Sequence, residues 1–174
     1  MASLIQRALR EQTNGDLVVQ VIRDRADPVL RHYLQPLMKL YQQLDYDMSA
    51  FHETAFGHTG PSYQFSAEDL YEQLDDGDVL LVLHDLSGAL GFAQLGFEDD
   101  NKVSSMCLRY LAVDTECQGK GYGTHLVNKA LSLAAEEKCE YVTLSAYARN
   151  EAALKLYEKF GFTPTYLSLV RKIR

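Results

Sequence analysis

Three glycines at alternate positions form the segment of this chain best suited to chemistry. Residues 118–124 read Gln-Gly-Lys-Gly-Tyr-Gly-Thr, after a strand-like run at Leu108–Val113 and before a helix-like run that continues to about Glu137. Glycine lets the backbone approach a ligand closely. The first turn of a helix presents unpaired N–H groups and a partial positive charge. The segment therefore predicts a site for a phosphate or pyrophosphate group.

Two commoner phosphate-binding patterns do not fit this segment. A Walker loop requires Gly-Lys followed by Ser or Thr, and here Lys120 is followed by Gly121. A dinucleotide fingerprint requires Gly-x-Gly-x-x-Gly. Counted from Gly119 its last position is Thr124, and counted from Gly121 it is Leu126. A glycine-rich turn between a strand and a helix, with no ligand, is the structural alternative.

Strands and helices are predicted on both sides of this loop, with no linker or repeat, which favours one domain over residues 1–174. Alternation and β-branching predict strands at Asp16–Arg23, Asp78–His84, Ala89–Phe97, Val103–Val113, Glu140–Ser145 and Thr165–Ile173. Apolar periodicity and caps predict helices at Met1–Gln12, Pro28–Leu44, Ser66–Leu74, after the glycine loop, and from Asn150 to Gly161. Pro36 predicts a kink or break in the second of these helices. The segment Asp45–Pro61, rich in His and aromatic residues, is predicted as a loop.

The second half of the chain resembles the GNAT superfamily of N-acetyltransferases. The resemblance rests on a strand ending Arg-Tyr-Leu-Ala-Val-Asp at Asp114 and on the pattern Gln-x-x-Gly-x-Gly, met by Gln118, Gly121 and Gly123. It continues through the block Asn150–Phe162 and covers about residues 104–170. The first hundred residues fit only by the order of their elements. The resemblance implies an α/β (α+β mixed) layered fold. Its central, mixed and mostly antiparallel sheet would have six to seven strands, a splay between the two central parallel strands, and helices on both faces.

The same resemblance implies acetyl-CoA as the acyl donor. The loop N–H groups would hold the pyrophosphate, with Lys120 adding charge or remaining solvated. Free backbone groups at the end of the preceding strand would pair with the pantetheine amides. Asn150 would contact the same arm, cap its helix, or do both. The implied cofactor-binding residues are Leu111, Ala112, Val113, Gln118, Gly119, Lys120, Gly121, Tyr122, Gly123, Thr124, Asn150 and Tyr157.

The catalytic residue implied by the resemblance is Tyr157, in the sequence Leu-Tyr-Glu-Lys. Its hydroxyl would protonate the leaving thiolate, since a phenol has an ordinary pKa near 10 and a thiol one near 8.5. A backbone N–H near Leu111 or Val113 would stabilise the oxyanion. The alternative is that Tyr157 only packs as an aromatic residue on the apolar face of its helix.

The general base has no assignment in the sequence. An amine with a pKa near 10.4 must lose a proton before it attacks. The strand Val103–Val113 contains no acidic residue and has Arg109 and Tyr110 where many family members carry a carboxylate. The open candidates are Glu98, Asp99, Glu53, His52 and His84. Cys107 is expected to pack as a small apolar residue and not to act as a nucleophile.

Charge is divided unevenly along the chain. Residues 1–100 contain 6 Lys/Arg and 17 Asp/Glu, whereas residues 101–174 contain 11 Lys/Arg and 7 Asp/Glu. The acidic half is either a solvated face or the receptor of a cationic acceptor, while the basic half suits an anionic cofactor. The net charge of −7 argues against nucleic-acid binding.

The expected function is therefore acetyl transfer to a primary amine of a small, cationic molecule such as a polyamine, an aminoglycoside-like compound or an amino acid. A protein or peptide N-acetyltransferase and a non-catalytic acyl-CoA sensor are the alternatives. Three cysteines without CxxC spacing indicate neither a disulfide framework nor a zinc site. With no secretory signal and no membrane-spanning run, a cytoplasmic location is expected. The resemblance also brings a homodimer into consideration.

Overall fold

The computed structural model describes residues 17–57, 64–100, 103–171 and 173. The predicted N-terminal helix Met1–Gln12 lies outside these residues. The described residues fall into two compact units. One contains residues 17–41, 65–100 and 103–145, and the other contains residues 42–57, 64, 146–171 and 173. A single domain over residues 1–174 stays a prediction.

The first unit is built on one five-stranded sheet with the strands in chain order. The first four strands pair antiparallel and the last pair is parallel. The strands are β1 (Val18–Ile22), β2 (Val79–His84), β3 (Ala89–Asp100), β4 (Val103–Val113) and β5 (Tyr141–Leu144). The mixed α/β class and the mostly antiparallel sheet are confirmed. The predicted count of six to seven strands was too high for the described residues.

The core lies around β2, in which all six residues are buried. A strand buried at every position is covered on both faces of its sheet. Helix α3 (Tyr122–Glu136) packs against β2, β3 and β4 through an apolar face formed by Leu126, Val127, Ala130, Leu133 and Ala134. This packing fixes the first turn of α3, and so the glycine loop, relative to the end of β4.

Helix α1 runs without interruption from Pro28 to Phe56. The prediction that Asp45–Pro61 forms a loop was therefore wrong as far as Phe56, and Pro36 does not break the helix. Between Leu37 and Phe56 there is no glycine or proline to stop it. The helix ends at Gly57, whose φ is +76° and whose N–H donates to the Glu53 carbonyl at 2.7 Å.

Local capping rules hold at the next helix, α2 (Ala67–Asp75). The Ser66 hydroxyl accepts from the Asp69 N–H, and the Asp69 carboxylate accepts from the Ser66 N–H at 2.8 Å. This is the capping box that the sequence predicts.

The predicted turn between β2 and β3 is closed by one backbone hydrogen bond, in which the Asp85 N–H donates to the Gly88 carbonyl at 3.1 Å.

In the second unit, helix α4 (Glu151–Lys159) begins at the predicted cap. The Asn150 side chain accepts from the Ala153 N–H at 3.1 Å. The predicted strand Thr165–Ile173 was wrong, because residues 162–171 form no helix or strand. Tyr166 and Leu169 there are 85% and 84% exposed. Strand-forming residue types need a pairing partner, and propensity alone does not supply one.

Among the helices that the structure describes, none combines the length and the hydrophobicity needed to cross a membrane.

His84, at the end of β2, makes the stability of the fold sensitive to acid. The ring is 1% exposed, its Nδ1 lies 3.4 Å from the Tyr33 hydroxyl, and its Nε2 has no hydrogen-bond partner among the described residues. Burial lowers the pKa of His84 below its ordinary value of 6.5. The unfolded chain therefore binds a proton at a higher pH than the folded chain does.

We expect the free energy of unfolding to fall as the pH drops below about 6.5. His84→Gln should lower stability at neutral pH but flatten this dependence, because the titrating ring is gone. Urea unfolding between about pH 5 and about pH 8 measures both effects. The exposed His125, changed to Gln in the same way, serves as the control. Parallel curves for wild type and His84→Gln would contradict the assignment.

Candidate functional site

The glycine loop presents a row of unpaired backbone donors. Gly119 and Gly121 have φ of +77° and +84°, a conformation that side chains disfavour, and nothing lies within 4 Å of a Cβ placed on either. The N–H groups of residues 119–123 donate to no described residue, whereas the Thr124 N–H donates to the Gly121 carbonyl at 3.0 Å. A row of unpaired N–H groups at the start of a fifteen-residue helix suits an anion.

The loop is tied to the end of β4 by two polar side chains. The Gln118 amide donates to the Val113 carbonyl at 3.2 Å, and the Asp114 carboxylate caps a 3₁₀ turn, Thr115–Cys117, by accepting from the Glu116 N–H at 2.9 Å. Lys120 is exposed. The loop is therefore held beside the end of β4. Its N–H groups and the end of β4 belong to the same compact unit.

The end of β4, Leu111–Val113, pairs with β3 but not with β5. The parallel pairing with β5 runs from Ser105 with Tyr141 to Leu108 with Leu144 and then stops. The pairing with β3 continues to Val113. Beside Leu111, Ala112 and Val113 the described residues therefore place no strand on this side of β4. The parallel pair β4–β5 is the last pair of the described sheet and not its centre, and the splay stays a prediction. An open edge leaves backbone groups free to pair with amides of a ligand.

The opening coincides with a β-bulge at Arg109. Tyr110 lies opposite Gln94 and Leu108 opposite Leu95, so Arg109 is one extra residue with no partner on β3. Bulges bend a strand and end its regular pairing. The bulge therefore gives a physical reason for the loss of the β5 pairing at this position.

Gly91 on β3 allows a close approach at the same end of the sheet. A Cβ at this position would lie 2.7 Å from the Ala112 carbonyl oxygen and 3.3 Å from the Val113 Cα. Both atoms belong to the backbone and cannot rotate away. Only glycine holds β4 at this spacing from β3.

A polar cluster lies beside the bulge, and its members were not predicted as site residues. It joins the side chains of the buried Tyr41, Gln94 and Asp78 to that of the exposed Arg109. Gln94 is fully buried. In the sequence it is the one polar residue of the run Ala89–Phe97, and that was the available signal. Its partners lie 16 and 53 residues away along the chain.

Asn150 and Tyr157 belong to the second unit. The Asn150 side-chain oxygen is used as the helix cap. The Tyr157 ring is half-buried and contacts Phe162 edge-on, with 5.8 Å between ring centroids. Burial raises the pKa of Tyr157 above 10.0, so its hydroxyl stays protonated at neutral pH. Its role as a proton donor stays a prediction.

The candidates for the general base lie in unlike surroundings. The exposed Glu98 carboxylate is 3.9 Å from an Arg109 nitrogen. His52 and Glu53 lie on α1, not in a loop. His84 is buried against Tyr33, away from solvent. The side chain of Asp99 is outside the described residues. No described cluster of three or more His, Cys, Asp or Glu side chains is arranged to hold a metal ion.

The family to which the chain belongs is that of the GNAT acetyltransferases. The model of the acetyltransferase (GNAT) family matches residues 38–162, more than half of the chain. Solved structures show the same fold. An aminoglycoside acetyltransferase from an uncultured soil metagenomic sample, in complex with trehalose, has a TM-score of 0.67 at 18% identity over 92% of this chain and 98% of that chain. A tetramutant of the BH1408 protein from Bacillus halodurans has a TM-score of 0.71 at 13% identity, with 90% and 99% covered.

Two curated relatives match shorter segments. The spermine/spermidine N(1)-acetyltransferase of Bacillus subtilis is 35% identical over 78 residues, which make up 42% of this chain and 51% of that protein. The N-alpha-acetyltransferase 30 of Xenopus laevis is 50% identical over 52 residues, or 30% of this chain and 19% of that protein. The matched segments thus span about half, or less, of the length of these relatives.

Substituting Gly91 tests the close approach of β3 to β4. Gly91→Ala should lower the free energy of unfolding by about 1–3 kcal/mol, because the added methyl group meets backbone that cannot rotate away. Urea unfolding measures this loss, and amide hydrogen exchange should be faster at Ala112 and Val113. A variant as stable as the wild type, with unchanged exchange, would show that the two strands are not held this closely.

Proposed function

We propose that this chain is an acetyl-CoA-dependent N-acetyltransferase that transfers the acetyl group directly to a primary amine. One observation carries the proposal. A row of free N–H groups on the glycine loop adjoins a strand end whose backbone is unpaired on one side. Membership of the GNAT family supports the same function.

The residues present fit coenzyme A in two places. The N–H groups of Gly119, Lys120, Gly121, Tyr122 and Gly123 would hold the pyrophosphate, and the Lys120 ammonium would add charge. Backbone groups of Leu111 and Val113 that point away from β3 would pair with the pantetheine amides, with Ala112 between them. The Val113 carbonyl already accepts from the Gln118 amide, so at Val113 the N–H is the group available. The remaining cofactor-binding residues that we propose are Gln118, Thr124, Asn150 and Tyr157.

Replacing Gly121 tests the loop. Gly121→Ala should weaken binding of coenzyme A by about tenfold or more, because alanine disfavours a φ of +84° by about 1–2 kcal/mol and the loop would change shape. Isothermal titration calorimetry measures the affinity.

Gly57→Ala is the matched control for Gly121→Ala. Gly57 ends α1 with a φ of +76°, so alanine there should show the same strain. It lies outside both the glycine loop and β4, so the affinity of this variant for coenzyme A should equal that of the wild type. Equal losses of affinity in both variants would mean that general destabilisation, not the loop, is responsible.

When bound, acetyl-CoA supplies an acetyl thioester, whose carbonyl takes up negative charge during attack by the amine and whose thiolate leaves. An N–H at Leu111 or Val113 would stabilise that charge, a contribution of about 3 kcal/mol. The attacking amine would release one proton to water, while Tyr157 would donate its proton to the departing thiolate and regain one from solvent. The protein forms no covalent bond to the acetyl group in this scheme.

Removing the Tyr157 hydroxyl tests the proton donor. Tyr157→Phe should lower kcat about 100-fold or more with little change in affinity for coenzyme A, since general-acid catalysis acts on the transition state. Steady-state release of thiol measures kcat. Tyr166→Phe, which removes the hydroxyl of an exposed tyrosine in the same unit, is the control. If Tyr157→Phe keeps full kcat, another group donates the proton.

The acceptor that we propose is a small cationic amine such as a polyamine or an aminoglycoside-like compound. The acidic first half of the chain provides the opposite charge. The names of relatives and structural neighbours that act on spermine and on aminoglycosides support this substrate class. Acetylation of a protein or peptide amine is the second candidate, favoured by the match to N-alpha-acetyltransferase 30. That match covers fewer residues than the match to the spermine enzyme.

A panel of acceptors separates these candidates. We expect turnover with spermidine or an aminoglycoside, a KM that rises with salt because charge attraction is screened, and no turnover with glutamate. Peptides with free N-terminal amines are the comparison. Activity on peptides alone would select the second candidate, and binding of acetyl-CoA without any turnover would indicate a sensor. A preference for anionic amines would contradict the assignment of a cationic acceptor.

A further inference from the structure

A single buried carboxylate connects the two sides of the β-bulge. The Asp78 side chain is 8% exposed. Its Oδ1 accepts from the Arg109 Nε at 3.2 Å, and its Oδ2 lies 3.1 Å from the same nitrogen. Its Oδ2 also accepts from the Gln94 Nε2 at 2.7 Å. Arg109 is the extra residue of the bulge, and Gln94 lies opposite the next residue of β4, Tyr110.

Gln94, which donates to this carboxylate, is held in turn by side chains of helices α1 and α2. The Tyr41 hydroxyl of α1 donates to the Gln94 Oε1 at 2.6 Å, and the Gln94 amide also donates to Gln73 of α2. Burial, with Tyr110 and Asp78 nearby, holds the pKa of Tyr41 well above its usual range. Its hydroxyl therefore remains a donor, and Gln94 cannot rotate without losing these buried hydrogen bonds.

Gly96 provides the space for the arginine. A Cβ at this position would lie 2.2–2.4 Å from the Nε, Nη2 and Cζ atoms of Arg109. The guanidinium group thus lies directly against the β3 backbone, one register position beyond the bulge. The Asp78 carboxylate, the Gln94 amide that holds it and the space at Gly96 all favour one position of the Arg109 side chain.

We infer that Asp78, Arg109 and Gln94 are positioning residues that hold the β4 bulge, and with it the unpaired backbone of Leu111–Val113, in the geometry that receives the acyl donor. The ligand part of this inference rests on the proposed function. Removing the Arg109 guanidinium would leave the buried Asp78 carboxylate without its opposite charge, so the carboxylate resists rearrangement of the pair. A fixed bulge keeps β4 apart from β5 beyond Leu108 and prevents the open edge from closing.

The test uses three substitutions that disturb the cluster in different ways. Asp78→Asn removes the charge at almost constant volume. Arg109→Met removes the guanidinium and keeps the length of the side chain. Gly96→Ala displaces the guanidinium, which is 38% exposed and can turn towards solvent while Asp78 stays in place. Gly96→Ala therefore keeps the test open if Asp78→Asn does not fold.

Asp75→Asn is the matched control. It breaks the ion pair of Asp75 with Arg25, at 3.1 Å, in which the two side chains are 53% and 59% exposed. Exposed pairs contribute little to stability. This variant should behave as the wild type does in every measurement.

The first measurement needs no ligand. Amide ¹H–¹⁵N shifts of Leu111, Ala112 and Val113 should move in all three cluster variants and not in Asp75→Asn. These residues are two to four positions beyond Arg109, so a change there reports movement of the strand end. If the shifts stay unchanged in the folded variants, the positioning role is overturned.

The second measurement is the affinity for coenzyme A by calorimetry. We expect a loss of about tenfold in each cluster variant, because misplacement by about 1 Å is costly. The double variant Asp78→Asn, Arg109→Met should bind coenzyme A no more weakly than the weaker-binding of the two single variants, since both substitutions act through one bulge. Arg109→Lys should recover part of the loss seen in Arg109→Met.

The outcomes separate the two proposals. Lower melting temperatures with unchanged affinity would mean that the cluster is only structural, and the inference would fail while the proposed function stands. A wild-type protein that does not bind coenzyme A would remove the proposed function. The shifts at Leu111–Val113 would still decide whether the cluster holds the bulge.

Discussion

The structure depends on one constraint in β4. This strand is paired on both sides from Ser105 to Leu108, and with β3 alone from Leu111 to Val113. Inside a sheet, unpaired backbone groups are unfavourable unless something else satisfies them. Here the bulge at Arg109 ends the pairing, and Gly91 keeps the strand close to β3. The free edge of β4 is therefore fixed by the bulge and by Gly91. Under the proposed function, this edge pairs with the amides of the pantetheine arm.

The glycine loop complements this edge. An anion at the start of α3 and an amide-bearing arm along β4 would be bound by backbone groups alone, so the side chains there are free to vary. The solved structures that share the fold are only 13–18% identical to this chain. The acceptor, in contrast, must be recognised by side chains, and these differ from chain to chain.

Features set by neighbouring residues could be predicted from the sequence. Ser66 and Asn150 cap their helices as expected, and the positive φ of Gly119 and Gly121 follows from a turn that only glycine accepts. Longer-range features could not. The segment after residue 164 has no pairing partner among the described residues, and a strand needs one. The length of α1, by contrast, was visible in the sequence, because no glycine or proline lies between Leu37 and Gly57. The Asp78–Arg109 pair joins residues 31 positions apart, and no local pattern indicates it.

Hydrogen–deuterium exchange of the full chain, with and without coenzyme A, tests the central claim most directly. The claim is that one ligand occupies both the free edge of β4 and the donors of the glycine loop. We predict that saturating coenzyme A slows exchange at residues 111–113 and 119–123 together, while the distant β1–β2 pairing is unaffected. Protection of neither segment, or of the loop without the strand, would contradict the account.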